Sequence, residues 1–327
     1  MTLAASYILP VRRQVTTDIA ELTGYLLWLN RHVSELIVVD GSPPDVFAHH
    51  ARAWPGLRHV APSPEIQASN GKVAGVLTGV ALAGHESLVI ADDDVRYDLR
   101  SLERVVALLG EASVVRPQNY FQPLPWHARW DSARSLINRV SGGDWPGTLA
   151  VRRSVLLSTR GYSGDSLFEN LELVRTVRAA GGREAVARDL YVRRLPPSTA
   201  HFLSQRVRQA YDEFARPARL LWQLAILPLA LTLAWRQPRA LLGLGALSVA
   251  IAEAGRRRDG GARVFPASTS LFAPLWLTER AICSWLAVAS RLRFGGVRYG
   301  NGVISHAATS LPQLKRQIEA QAEPARW

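Results

Sequence analysis

Twice in its first hundred residues the chain ends a short apolar run on a carboxylate, and no other feature constrains the fold as tightly. Residues 35–40, Glu-Leu-Ile-Val-Val-Asp, close on Asp40, and residues 86–94, Glu-Ser-Leu-Val-Ile-Ala-Asp-Asp-Asp, close on Asp92, Asp93 and Asp94. Apolar runs of this length, bounded by polar residues, read as buried strands. An amphipathic stretch over residues 17–31 separates the run at 35–40 from an earlier strand at 5–11, which is the βαβ pattern of a parallel sheet. The aspartates then emerge at the carboxyl ends of strands, where open α/β sheets bind their ligands.

Three adjacent negative charges repel one another, and either solvation at a turn or a cation relieves them. Mg²⁺ and Mn²⁺ take hard oxygen ligands. In an extended backbone alternate residues point the same way, so Asp92 and Asp94 can share one ion while Asp93 faces elsewhere. Asp40 suits the ring N–H of a nucleotide base, or an ordinary turn. Asn70-Gly71-Lys72 opens a helical pattern over residues 72–83, where backbone N–H groups and an ammonium suit an anion. Lys72 and Lys315 are the only lysines in a chain of 327 residues whose cationic side chains are otherwise arginines.

Further helices are expected over residues 99–109 and 167–180, and strands over 113–117 and 148–152. Gly41, Ser42, Pro43 and Pro44 mark a loop after Asp40. Residues 118–147 read as a long loop region around a helix at 129–139, and loops of that length are usually functional. The chain changes character near residue 217. Residues 217–235 and 240–252 are almost wholly apolar, near the lower limit of the roughly 17 to 25 residues that span a bilayer. Arg256, Arg257, Arg258 and Arg263 follow, which places that side in the cytoplasm. The apolar stretch at 264–290 carries Glu279 and Arg280, so an interfacial or re-entrant helix is as natural as a span. A formal charge of +12 suits an anionic membrane surface or a phosphate-bearing substrate. No aromatic-rich nucleic-acid motif accompanies the arginines, so nucleic acid is not an expected partner. A lone Cys283 excludes intramolecular disulfides and cysteine metal sites. The first ten residues have neither a basic leader nor a long apolar core, unlike a signal peptide.

In this order the features resemble a membrane-associated nucleotide-sugar glycosyltransferase of the GT-A fold, the inverting family 2 group. The resemblance runs through residues 6–11 as first strand, Val38-Val39-Asp40-Gly41-Ser42 as second, Ser69-Asn70-Gly71-Lys72 before a helix, and Asp92-Asp93-Asp94 at the place of the D-x-D metal motif. Residues 147–153 look like the acceptor-side strand, and residues 164–175 like the segment that carries a Glu-Asp pair before a helix. It implies an α/β fold with a mixed, mostly parallel sheet flanked by helices over residues 1–215, membrane-associated helices over 216–295 and a basic tail over 296–327. It implies a divalent ion, Mg²⁺ or Mn²⁺, on Asp92 and Asp94, with Pro10, Asp40, Lys72, Asp92, Asp93 and Arg208 toward the nucleotide-sugar donor. Trp126, Trp130 and Gly147 are the acceptor-side candidates, for a lipid or glycan.

One departure matters: relatives place the catalytic base at the second residue of the Glu-Asp pair, and this chain has Asn170, whose amide takes no proton at neutral pH. Glu169 is then the first candidate base, Asp165 the second and Glu172 the third. Residues 205–209 resemble the membrane-bound members' Q-x-x-R-W motif, with Gln209 in place of tryptophan. A soluble acceptor, a nucleotidyltransferase and a catalytically inactive donor-binding scaffold are the competing readings.

Overall fold

The computed structural model describes residues 2–299 and 302–322. Residues 300, 301 and 323–327 of the expected basic tail lie outside the described residues. The chain divides into two units: one comprises Met1–Pro117, Pro146–Val192 and Thr309–Trp327, the other Gln118–Trp145 and Arg193–Ala308.

The sheet strands are β1 (Leu3–Val11), β2 (Val33–Asp40), β3 (Arg58–Val60), β4 (Ser87–Ala91), β5 (Val95–Arg96), β6 (Val114–Phe121), β7 (Thr148–Arg152) and β8 (Glu184–Arg194). Their order is β3-β2-β1-β4-β7-β6-β8-β5. The run β3-β2-β1-β4 is parallel, and β7 is antiparallel to both β4 and β6. This is the mixed, mostly parallel sheet that the sequence implied. Ile37, Val38, Val39, Leu88, Val89 and Ile90 are all buried, as unbroken apolar runs must be in strands covered on both faces.

Helix Ala20–His32 buries Leu22, Leu26 and Leu29, a stripe at helical spacing. Helix Gly71–Leu82 lies close on β1 because its glycines permit it. A Cβ on Gly79 would come 2.4 Å from Ile8 Cγ2, and one on Gly75 3.0 Å from Pro10 Cβ. Pro10 is therefore packed beneath this helix. Several elements were not expected, among them β3. Residues 44–53 form a helix, Pro44–Ala53, because a proline in the first turn costs no hydrogen bond and fixes a helical φ. β8 is rich in charge and has no clean alternation, and its Ala187, Leu190 and Val192 are the residues buried.

In the second unit the helix expected at 129–139 within a loop region is present as helix Trp126–Arg139, and β6 runs on to Phe121. Among the described residues, two helical stretches are long and apolar enough to cross a membrane, Pro217–Arg236 and Ala267–Phe294, with mean hydropathy 1.5 and 1.2. Helix Pro238–Arg257 is not among them. The unit buries Arg139, Arg206, Arg280, Asp131 and Glu279 while leaving Leu221, Leu231 and Trp235 exposed.

Candidate functional site

Register fixes where the carboxylates stand. Val11 pairs with Asp40 and Ile8 with Ile90, so Asp40 and Asp92 flank the end of β1 on opposite sides. Two strand spacings put their backbones roughly 10 Å apart. β4 stops at Ala91, and residues 92–95 form a turn closed by the Val95 N–H on the Asp92 carbonyl at 3.1 Å. The three carboxylates thus sit on a turn rather than on an extended strand, and all three are half-buried.

Lys72 is the hub. Its Nζ lies 2.5 Å from Asp92 Oδ1 and 2.7 Å from Glu169 Oε1, bridging the end of β4 to the first turn of helix Glu169–Ala179. Burial alone would lower the ammonium's pKa, but the two carboxylates outweigh it and hold the pKa well above the usual lysine range. Asp93 is engaged separately, 3.3 Å from the Arg13 guanidinium. Nothing in the sequence marked Arg13, one arginine among many.

Asn70 builds the start of the lysine's helix. Its Oδ1 accepts the Lys72 N–H at 3.1 Å, its Nδ2 donates to the Ser166 carbonyl at 3.2 Å, and its own N–H donates to the Gly164 carbonyl at 2.8 Å. One fully buried asparagine therefore caps the helix and ties it to the segment leading to Glu169. Beside it, exposed Asp165 accepts from Ser69 Oγ at 2.6 Å. Glu172 is wholly buried and accepts the Thr309 N–H at 2.6 Å.

The position after Glu169 has a different task. Asn170 Nδ2 donates to the Pro146 carbonyl at 2.9 Å, and the next carbonyl along, that of Gly147, accepts the Asp92 N–H at 2.8 Å. This extends by one rung the β4–β7 ladder, in which Ala91 faces Thr148.

Asp40 is enclosed. Oδ1 accepts the Ser42 N–H at 2.9 Å, and Oδ2 lies 2.7 Å from His50 Nδ1 and 3.0 Å from His59 Nε2. Burial would raise its pKa, but hydrogen bonds from His59, Ser42 and His50 hold it well below the usual carboxylate range. The three side chains have donors suited to a zinc-type ion, with ligand atoms all within 4.8 Å of one another. Hydrogen bonding already satisfies the carboxylate, however. A ligating His50 would also carry an Nε2–H with no acceptor, because that nitrogen is buried without a partner. The group is a lock on Asp40, which the sequence did not reveal because His50 and His59 sit on elements it did not predict.

Thus Asp92, Lys72 and Glu169 are brought together, with Gly147 supporting Asp92 through its backbone. Pro10 packs under the lysine's helix. Trp126, Trp130 and Arg208 belong to the other unit. There Trp126 is half exposed, its ring 6.1 Å from that of Trp130, and Arg208 bonds Gln205 Oε1 at 2.8 Å and lies over Tyr299.

No protein-family model matches the chain, and no curated protein matches it. Among solved structures it is similar to the mannosyltransferase PcManGT from Pyrobaculum calidifontis in complex with GDP-Man and Mn²⁺. That match has a TM-score of 0.51 and 16% identity over 87% of this chain and 88% of the other. Glucosyl-3-phosphoglycerate synthase from Mycobacterium tuberculosis matches over 61% of this chain. With phosphoglyceric acid bound the TM-score is 0.42, at 20% identity and 74% of that chain; with Mn²⁺ and UDP-Glc it is 0.43, at 18% identity and 73% of that chain. At such identities the mannosyltransferase likeness is one of fold, and the GT-A arrangement is the fold of this chain.

Proposed function

We propose that the chain is a glycosyltransferase of the inverting family 2 type, moving a sugar from a nucleotide-diphosphate donor to an acceptor. The observation that carries this reading is the Asp92–Lys72–Glu169 bridge at the carboxyl edge of a GT-A sheet. The donor set fits a divalent ion: Asp92 and Asp94 offer hard oxygens, and the Lys72 ammonium between Asp92 and Glu169 is itself a cation held in that place. When bound, Mg²⁺ or Mn²⁺ neutralises the diphosphate and stabilises it as the leaving group. Lys72 binds phosphate oxygens. Arg13 holds Asp93 and so steadies the turn. The enclosed Asp40 fixes Gly41 and Ser42, which form the base side of the donor site. Glu169 takes the proton of the acceptor, whose oxygen displaces the diphosphate from the opposite face and inverts the anomeric centre.

A lipid acceptor fits the exposed apolar helices. We read Pro217–Arg236 and Ala267–Phe294 as membrane-associated, with Arg256, Arg257 and Arg258 and the catalytic unit on the cytoplasmic side. The purified protein in detergent, supplied with Mn²⁺ and GDP-mannose or UDP-glucose, is expected to release the nucleoside diphosphate. Asp92→Asn and Asp94→Asn should each lower that rate at least about a hundredfold. Unchanged turnover in both variants removes the metal assignment.

A further inference from the structure

The position where relatives keep their base is not idle in this chain. Asn170 stands in the first turn of helix Glu169–Ala179, and its amide donates to the Pro146 carbonyl at 2.9 Å. The adjoining Gly147 carbonyl accepts the Asp92 N–H at 2.8 Å, and the Asp92 carbonyl accepts the Val95 N–H at 3.1 Å. These bonds form one continuous path from Asn170 through Pro146–Gly147 to the carboxylate turn. We propose that Asn170 is a positioning residue that sets the height of the Asp92–Asp94 turn, and with it the geometry offered to a divalent ion. This rests on the metal reading given above.

The chemistry separates asparagine from the aspartate it replaces. An asparagine side chain offers N–H donors, whereas an ionised carboxylate only accepts. An aspartate at 170 would set its oxygens against the Pro146 carbonyl, so the two would part and Pro146–Gly147 would lose its anchor. The replacement of aspartate is therefore a change of task, from taking a proton to holding a backbone, and it does not mark an inactive protein. Supports of this kind behind metal ligands typically change metal affinity about 10- to 100-fold.

The test titrates Mn²⁺ alone into the full-length protein in detergent, reading free ion by electron paramagnetic resonance, and follows amide exchange over residues 91–95. Asn170→Asp and Asn170→Ala should weaken Mn²⁺ binding about tenfold or more and speed exchange of the Asp92 amide. Asn170→Gln, which keeps an N–H donor, should recover most of both. Asn170→Asp binding Mn²⁺ like the wild type, or transferring sugar faster than it, overturns the proposal, the second result by restoring a base. Should the alanine variant fail to fold, the near-isosteric aspartate variant decides. If the wild type binds no Mn²⁺, the metal reading fails by itself, and unchanged Asp92 exchange in the variants would still refute the clamp.

Discussion

The two units place their charges in opposite ways. The first hides an apolar sheet and brings Asp92, Asp93, Asp165 and Glu169 together with near-neighbour partners: Lys72 for Asp92 and Glu169, Arg13 for Asp93, Ser69 for Asp165. The second buries a cluster of charges and shows apolar side chains. There Arg206 lies 3.2 Å from Asp131 and 3.5 Å from Glu279, Arg134 lies 2.7 Å from Asp144, and Trp235 is 89% exposed. Soluble surfaces carry scattered apolar residues, but a helix exposing Leu221, Trp222, Leu229, Leu231 and Trp235 together calls for a partner. The contrast is one of where charge goes: the first unit holds a cation-bridged acidic cluster at the carboxyl edge of its sheet, and the second turns apolar side chains outward.

The largest effect should come from breaking the second unit's interior. Arg206→Ala removes a cation from two buried carboxylates and should cost about 3–5 kcal/mol, read by thermal unfolding in detergent. A loss below about 1 kcal/mol would mean that the cluster is hydrated, and the contrast would weaken. In the first unit, Asn70→Ala deletes a helix cap and a buried hydrogen bond and should cost about 2–3 kcal/mol, with a matching fall in melting temperature. Asp40 makes a pH prediction. Its folded pKa lies below the unfolded value, so its contribution is present above an unfolded pKa of about 4 and fades as the pH falls toward the folded one. Asp40→Asn should flatten the acid limb of the stability curve below about pH 4; an unchanged limb would place the acid sensitivity elsewhere. The smallest effect on stability should come from Trp235→Ser. It should shift unfolding by under about 0.5 kcal/mol, yet lower partition onto anionic vesicles about tenfold if that side chain enters lipid. Unchanged partition would leave the apolar face without the proposed partner.

Much of the first unit is legible in the sequence. Uninterrupted apolar runs dictated the central strands, because burial on both faces leaves no room for polar residues, and β7 fell on residues 148–152 as read. Helix Pro44–Ala53 was hidden by prolines that mark a turn and a helix start equally well. β8 was hidden because its charged residues mask the few buried ones. Within the long region at 118–147 the helix read at 129–139 begins three residues earlier, at Trp126, and β6 extends into it as far as Phe121, because aromatics and prolines blur both boundaries.

The sequence by itself determined that carboxylates would end strands of a parallel sheet, that Lys72 would stand at a helix start, and that the chain turns apolar after residue 217. These follow from periodicity and composition, which are local. Tertiary structure alone decided the partners: that Lys72 bridges Asp92 and Glu169, that His50 and His59 enclose Asp40, and that Asn170 holds Pro146. Each of those contacts joins residues 10 to 97 positions apart, and a hydrogen bond is set by ångström-scale geometry that no local pattern encodes.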